Sequence, residues 1–74
     1  MDFSEQLAAL VFWRRKKHRL SQAQLAALAG VGRRFVSELE RGKQSLQLDK
    51  VLAVLDVLGL SLACIDAREV SGDE

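Results

Sequence analysis

At 74 residues, with 49% apolar side chains, no proline, and Ala and Leu dominant, the chain fits one small helical domain and is too apolar for disorder. One cysteine (Cys64) and one histidine (His18) exclude an internal disulfide and a structural zinc site within one chain, while the short apolar runs and the acidic Asp2 and Glu5 lead us to expect a cytoplasmic chain with no membrane span or signal peptide. The formal net charge of +1 hides a segregation: residues 14–43 hold nine Lys/Arg against Glu38 and Glu40, between acidic ends, as a surface for an anionic partner would require.

The spacing predicts a first helix over 4–18, capped by Ser4, with Glu5 favourable to its dipole. Phe3, Leu7, Leu10, Val11 and Arg14 follow a 3-4 spacing and mark its expected buried stripe. Phe12 and Trp13 lie just off it, as extra core or as a second contact surface. The helix ends in Arg14-Arg15-Lys16-Lys17-His18-Arg19, which suits a helix C-terminus and equally suits phosphates.

Ser21 caps a second helix, Gln22 to Ala29, expected to bury Leu25 and Leu28 and to stop at Gly30. Val31 fills the turn, and Gly32 opens a third helix from Arg33 to about Arg41. Val36 and Leu39 face inward there; Arg33, Arg34, Ser37 and Glu38 face outward. Gly42 ends it, and a polar loop covers 43–47. A fourth helix is expected over about 48–58, with Gln47 as a poor cap. Its expected buried stripe is Leu48, Val51, Leu52, Leu55 and Leu58, with Val54 and Val57 on another face too apolar for simple exposure.

After Gly59 the period changes to alternation over Leu60-Ser-Leu62-Ala-Cys64-Ile65-Asp66, which suggests a short strand. One strand has no partner in a monomer, so pairing with a second copy is the expected solution. The division is a helical domain over 1–59, a dimerisation strand over 60–66 and an acidic, frayed tail over 67–74. Leu60, Leu62, Cys64 and Val54 are the candidate dimer contacts.

Residues 21–41 have the layout of a DNA-binding helix-turn-helix, in which the second helix enters the major groove. Leu20-Ser21-Gln22, Leu25-Ala26, Gly30-Val31, Val36-Ser37, Leu39-Glu40 and Gly42-Lys43 stand in the register of the XRE-type, lambda-repressor-like helix-turn-helix, which the chain resembles over about residues 7–59. The fold implied is all-α, four helices, with the short C-terminal strand paired across a homodimer. Leu58 to Leu62, together with the Arg33 to Glu40 helix, resembles HipB-type antitoxins, the DNA-binding partners of HipA-like kinases. The resemblance implies a repressor that autoregulates its operon and binds a HipA-like kinase toxin. A stand-alone repressor and a protein-binding adaptor are the alternatives. Two departures matter: many relatives have glycine at position 19, where this chain has Arg19, and Ser or Thr at position 32, where it has Gly32.

Arg33, Arg34 and Ser37 are the candidate base contacts. Arginine can donate a bidentate pair to guanine O6 and N7, worth about 1–3 kcal/mol of discrimination; Arg34 is open to base or phosphate, and Ser37 to base, phosphate or solvent. Gln22, Arg41, Lys43 and Arg15 are the candidate backbone contacts to double-stranded DNA, and two copies would read a pseudo-palindrome. Gln22 is also placed to brace the recognition helix, as in the family, and Glu38 to pair with Arg34. Phe35 is expected to pack on the second helix. No paired carboxylates, nucleophile–base set or phosphate-cradling loop points to an enzyme, and no cofactor or metal is expected.

Overall fold

The computed structural model describes residues 2–67. It contains four helices: α1 (Phe3–Lys17), α2 (Gln22–Ala29), α3 (Arg33–Glu40) and α4 (Leu48–Val57). α3 packs against both α1 and α2, and α4 closes the other side of α2. Leu7 and Val11 of α1, Leu25 and Ala26 of α2, Val36 and Leu39 of α3, Val51, Val54 and Leu55 of α4, and Leu58 at its C-cap meet in one core.

Local chemistry sets the helix starts. Asp2, not Ser4, caps α1: its Oδ1 accepts from the Glu5 N–H at 2.8 Å. Ser21 and Gln24 form a reciprocal capping box on α2. Gly32 and Gln47 cap α3 and α4 without a side-chain bond.

The helix ends share one device. After each helix, one residue turns left-handed, and the next N–H reaches back five residues to a carbonyl. The bonds run from Leu20 to Arg15, from Val31 to Ala26, from Lys43 to Glu38 and from Leu60 to Leu55, at 2.8–3.1 Å. The left-handed residue is Gly30, Gly42 or Gly59 in three cases. In the first it is Arg19, at φ +58°, the one described non-glycine residue with positive φ. The turn that many relatives make with glycine is therefore made here in the same way, against the steric preference of an L side chain.

Several expected faces are corrected. On α1 the buried stripe is Leu7, Ala8, Val11 and Arg15, whereas Phe3 and Leu10 are exposed. Arg14 is half-buried and donates from Nε to the Leu58 carbonyl at 3.1 Å, tying α1 to the end of α4. Leu28 is exposed because α2 carries apolar residues all round and only Leu25 and Ala26 face its neighbours. On α4, Leu48 and Leu52 are exposed and Val54 is fully buried. Val54 thus belongs to the core of the single chain and is not available to a dimer contact.

Residues 60–66 have no regular structure in the single chain, where no described strand offers them a partner. Leu60 packs against the core, while Leu62, Cys64 and Ile65 are exposed. The expectation of a frayed tail falls almost wholly on residues 68–74, outside the described part. No described helix is long and apolar enough to cross a membrane.

Candidate nucleic-acid interface

Val36 and Leu39 pin one side of α3 to the core and leave the opposite side to solvent. Arg33 and Arg34 at its first turn are exposed, and Ser37 follows at i+4 and i+3, half-exposed. Arg41 closes the helix on the same side and is exposed, as is Lys43 just beyond. The structure therefore brings Arg33, Arg34, Ser37 and Arg41 onto one outward surface, at the spacing helical geometry dictates.

Glu38 lies at the edge of this surface. It accepts from Arg34 Nε and from Lys43 Nζ, each at 3.3 Å. These cations, Lys43 foremost, hold the Glu38 carboxyl below its ordinary range. Arg34 keeps an 89% exposed side chain and remains free to turn towards another anion. Lys50 of α4, which sequence reasoning passed over, places its ammonium 5.9 Å from the Phe35 ring centroid. With Arg34 and Lys43 it lines a groove between α3 and the start of α4. Phe35 itself is half-buried against the core.

Behind the surface stands a buried polar brace. Arg15 Nε and Nη2 donate to the two Glu40 carboxylate oxygens at 2.6 and 2.9 Å, and Nη1 donates to the Leu20 carbonyl at 2.8 Å. Gln22 Nε2 donates to Glu40 Oε1 at 3.0 Å. The Arg15 and Glu40 side chains are 8% and 5% exposed. The Glu40 bond holds the guanidinium more firmly protonated, against the opposing effect of burial. One carboxylate thus joins α1, α2 and α3 and fixes the recognition helix relative to its scaffold.

The brace revises one expected role. Arg15 is a candidate backbone contact by sequence, but its guanidinium is turned inward and engaged on all three nitrogens. It braces the interface from behind, at the edge of the groove that Lys16, Arg19 and Arg33 also line. Gln22 occupies the bracing place expected of it. The signal for Arg15 lay in the sequence: it follows Leu7 and Val11 at intervals of four, on the buried stripe. Glu40 likewise follows Val36 at four. A charged residue in an apolar register marks a buried partner, and here each is the other's.

On the α2 side of the interface, Lys16, Arg19, Ser21, Gln22 and Arg33 line a second groove, with no carboxylate among the lining residues. Two grooves lined by cations thus flank the start of α3.

The chain matches the HTH_3 helix-turn-helix family over residues 12–63. The chain belongs to this helix-turn-helix family. The matched span runs from the end of α1 through α4, so the helix-turn-helix proper is α2, the Gly30-Val31-Gly32 turn and α3. It is also similar to an uncharacterized HTH-type transcriptional regulator, y4mF, of Sinorhizobium fredii, with 50% identity over 56 residues, or 76% of this chain and 74% of the relative. The four-helix arrangement fits the lambda-repressor-like fold that this helix-turn-helix type implies.

Proposed function

We propose that the protein is a sequence-specific transcriptional repressor that binds a pseudo-palindromic operator as a homodimer and serves as the antitoxin of a HipA-like kinase. As a member of the XRE/HTH_3 type it is a DNA-binding transcriptional regulator. The observation that carries the reading is the outward face of α3, with Arg33, Arg34 and Ser37 presented together on a helix locked by the Arg15–Glu40–Gln22 brace. A rigid helix offering two arginines at its N-terminal turn is suited to guanine edges in the major groove. Arg41 and Lys43 meet phosphates past the helix end, and Gln22 meets one at the start of α2.

A homodimer is supported by the apolar residues the single chain leaves uncovered. Phe3, Leu48 and Leu62 border one shallow groove, and Leu52 and Ile65 are also exposed. Pairing of the 60–66 segments of two copies would give this irregular, largely exposed stretch a regular ladder. The antitoxin role rests on the likeness of the Leu58–Leu62 region and the α3 sequence to HipB-type proteins, and Trp13, 68% exposed, offers a protein partner an aromatic anchor.

A gel shift against the DNA upstream of the protein's own gene tests the repressor reading. A retarded complex at low salt that resists competitor DNA is the expected result, and no complex rejects it. Co-purification with a kinase encoded beside it tests the antitoxin role. A chain that binds its operator but recovers no kinase is a stand-alone repressor.

A further inference from the structure

Arg19 holds a backbone conformation that glycine occupies at the other three helix ends. Nothing in the turn needs an arginine: its N–H donates to the Lys16 carbonyl at 3.0 Å, as any non-proline residue can. Its side chain forms no ion pair or hydrogen bond within the described residues. The fold thus presents an exposed guanidinium from a strained residue that makes no side-chain bond to the other described residues.

Its position supplies the use. Arg19 lines the groove formed with Lys16, Ser21, Gln22 and Arg33, on the α2 side of the recognition helix. Arg33 and Lys16 are likewise without acidic partners among the described residues. Three uncompensated cations around one groove attract an anion, and the forked guanidinium matches a phosphate oxygen pair. The left-handed backbone sets where the side chain leaves the turn.

We propose that Arg19 binds a DNA backbone phosphate beside the site read by Arg33, so that the strained turn is a device of the interface. The proposal rests on the DNA-binding reading above. A backbone contact adds affinity without regard to sequence, so a mixed-sequence duplex is a sufficient probe.

The test compares wild type with Arg19→Gly, Arg19→Ala and Arg19→Lys, measuring binding of a labelled mixed-sequence duplex by anisotropy between about 50 and 200 mM salt, and melting temperature in parallel. Arg19→Gly is expected to raise the melting temperature by about 2–8 °C, since it relieves the left-handed strain. It is also expected to weaken the duplex about tenfold and to flatten the log–log salt slope by about 0.9. Arg19→Ala should lose the same affinity without the gain in melting temperature, and Arg19→Lys should keep the wild-type slope. The opposite movement of stability and binding in Arg19→Gly is what a merely structural residue would not produce. A wild type that binds alongside an Arg19→Gly of equal affinity and slope overturns the proposal alone. A wild type that leaves the duplex unbound overturns the DNA-binding reading, and this proposal with it.

Discussion

Arg33 and Lys43 carry the same charge, yet losing each has a different consequence. Arg33 stands at the first turn of α3 and Lys43 lies past the helix end; in the proposed complex the first meets base edges and the second the phosphate backbone. Arg33→Ala is expected to cost about 1–3 kcal/mol on the operator and to relax one base position, seen by selecting binding sites from a random pool. Lys43→Ala should weaken all sequences alike and lower the salt slope by about one. Glu38 gives a third expectation at this scale. Its folded-state pKa lies below the unfolded value, through Lys43 first and Arg34 after it. Its contribution to stability is therefore present above the unfolded value near 4.3 and lost as pH falls below it. Glu38→Gln should lose less melting temperature than wild type between neutral pH and about pH 3. It should also bind duplex DNA more tightly at low salt, because Arg34 and Lys43 lose their competing anion.

At the scale of elements, the brace decides how α3 sits. Arg15→Met leaves the Glu40 carboxylate buried with only Gln22 to satisfy it. Removing one member of a buried pair costs about 3–5 kcal/mol, against a total stability of about 4–11 kcal/mol for a domain of this size. Urea unfolding should show the single variant with a much lower midpoint, and Arg15→Met with Glu40→Leu substantially recovered. The elements themselves were legible where their signals are local. The Ser21 capping box, the Gly30 stop and the span of α2 follow from a few adjacent residues. The buried face of α4 was not legible, because Leu48, Val51, Leu52, Val54, Leu55, Val57 and Leu58 nearly encircle the helix and leave its periodicity without a clear side. Only packing against α2 chooses Val51, Val54, Leu55 and Leu58. On α1 the apolar letters favour Leu10 over Ala8, since a small residue does not announce burial, and Arg15 shows itself only by its register with Leu7 and Val11. The outward face of α3 was legible, because its two inward apolar residues leave little choice for the rest.

For the whole molecule, the proposed dimer must hold two recognition helices. A dimer that reads a palindrome places them about 34 Å apart, one turn of the duplex. Footprinting should then protect two half-sites whose centres are about 10 base pairs apart. Sedimentation at micromolar concentration should give twice the mass of one chain, and Leu62→Asp should return it to one. Leu62 suits this substitution because it is exposed in the single chain, so a charge there spares the core. A Val54→Asp variant would instead unfold the domain, since that side chain is fully buried. The charge segregation also acts at this scale. Acidic ends around a basic middle make the encounter with DNA directional and sensitive to salt, although the total charge is near zero.

Trp13 is the only tryptophan in the chain, and it lies open to water on α1. Its fluorescence in the folded single chain therefore already resembles that of an unfolded one, and makes a poor gauge of folding. It is a sensitive gauge of company. A protein that covers that side of α1 would shift its emission to shorter wavelength and shield it from iodide. A dilution series that leaves the colour unchanged while the mass halves places the dimer contact away from α1 and keeps this indole for another protein.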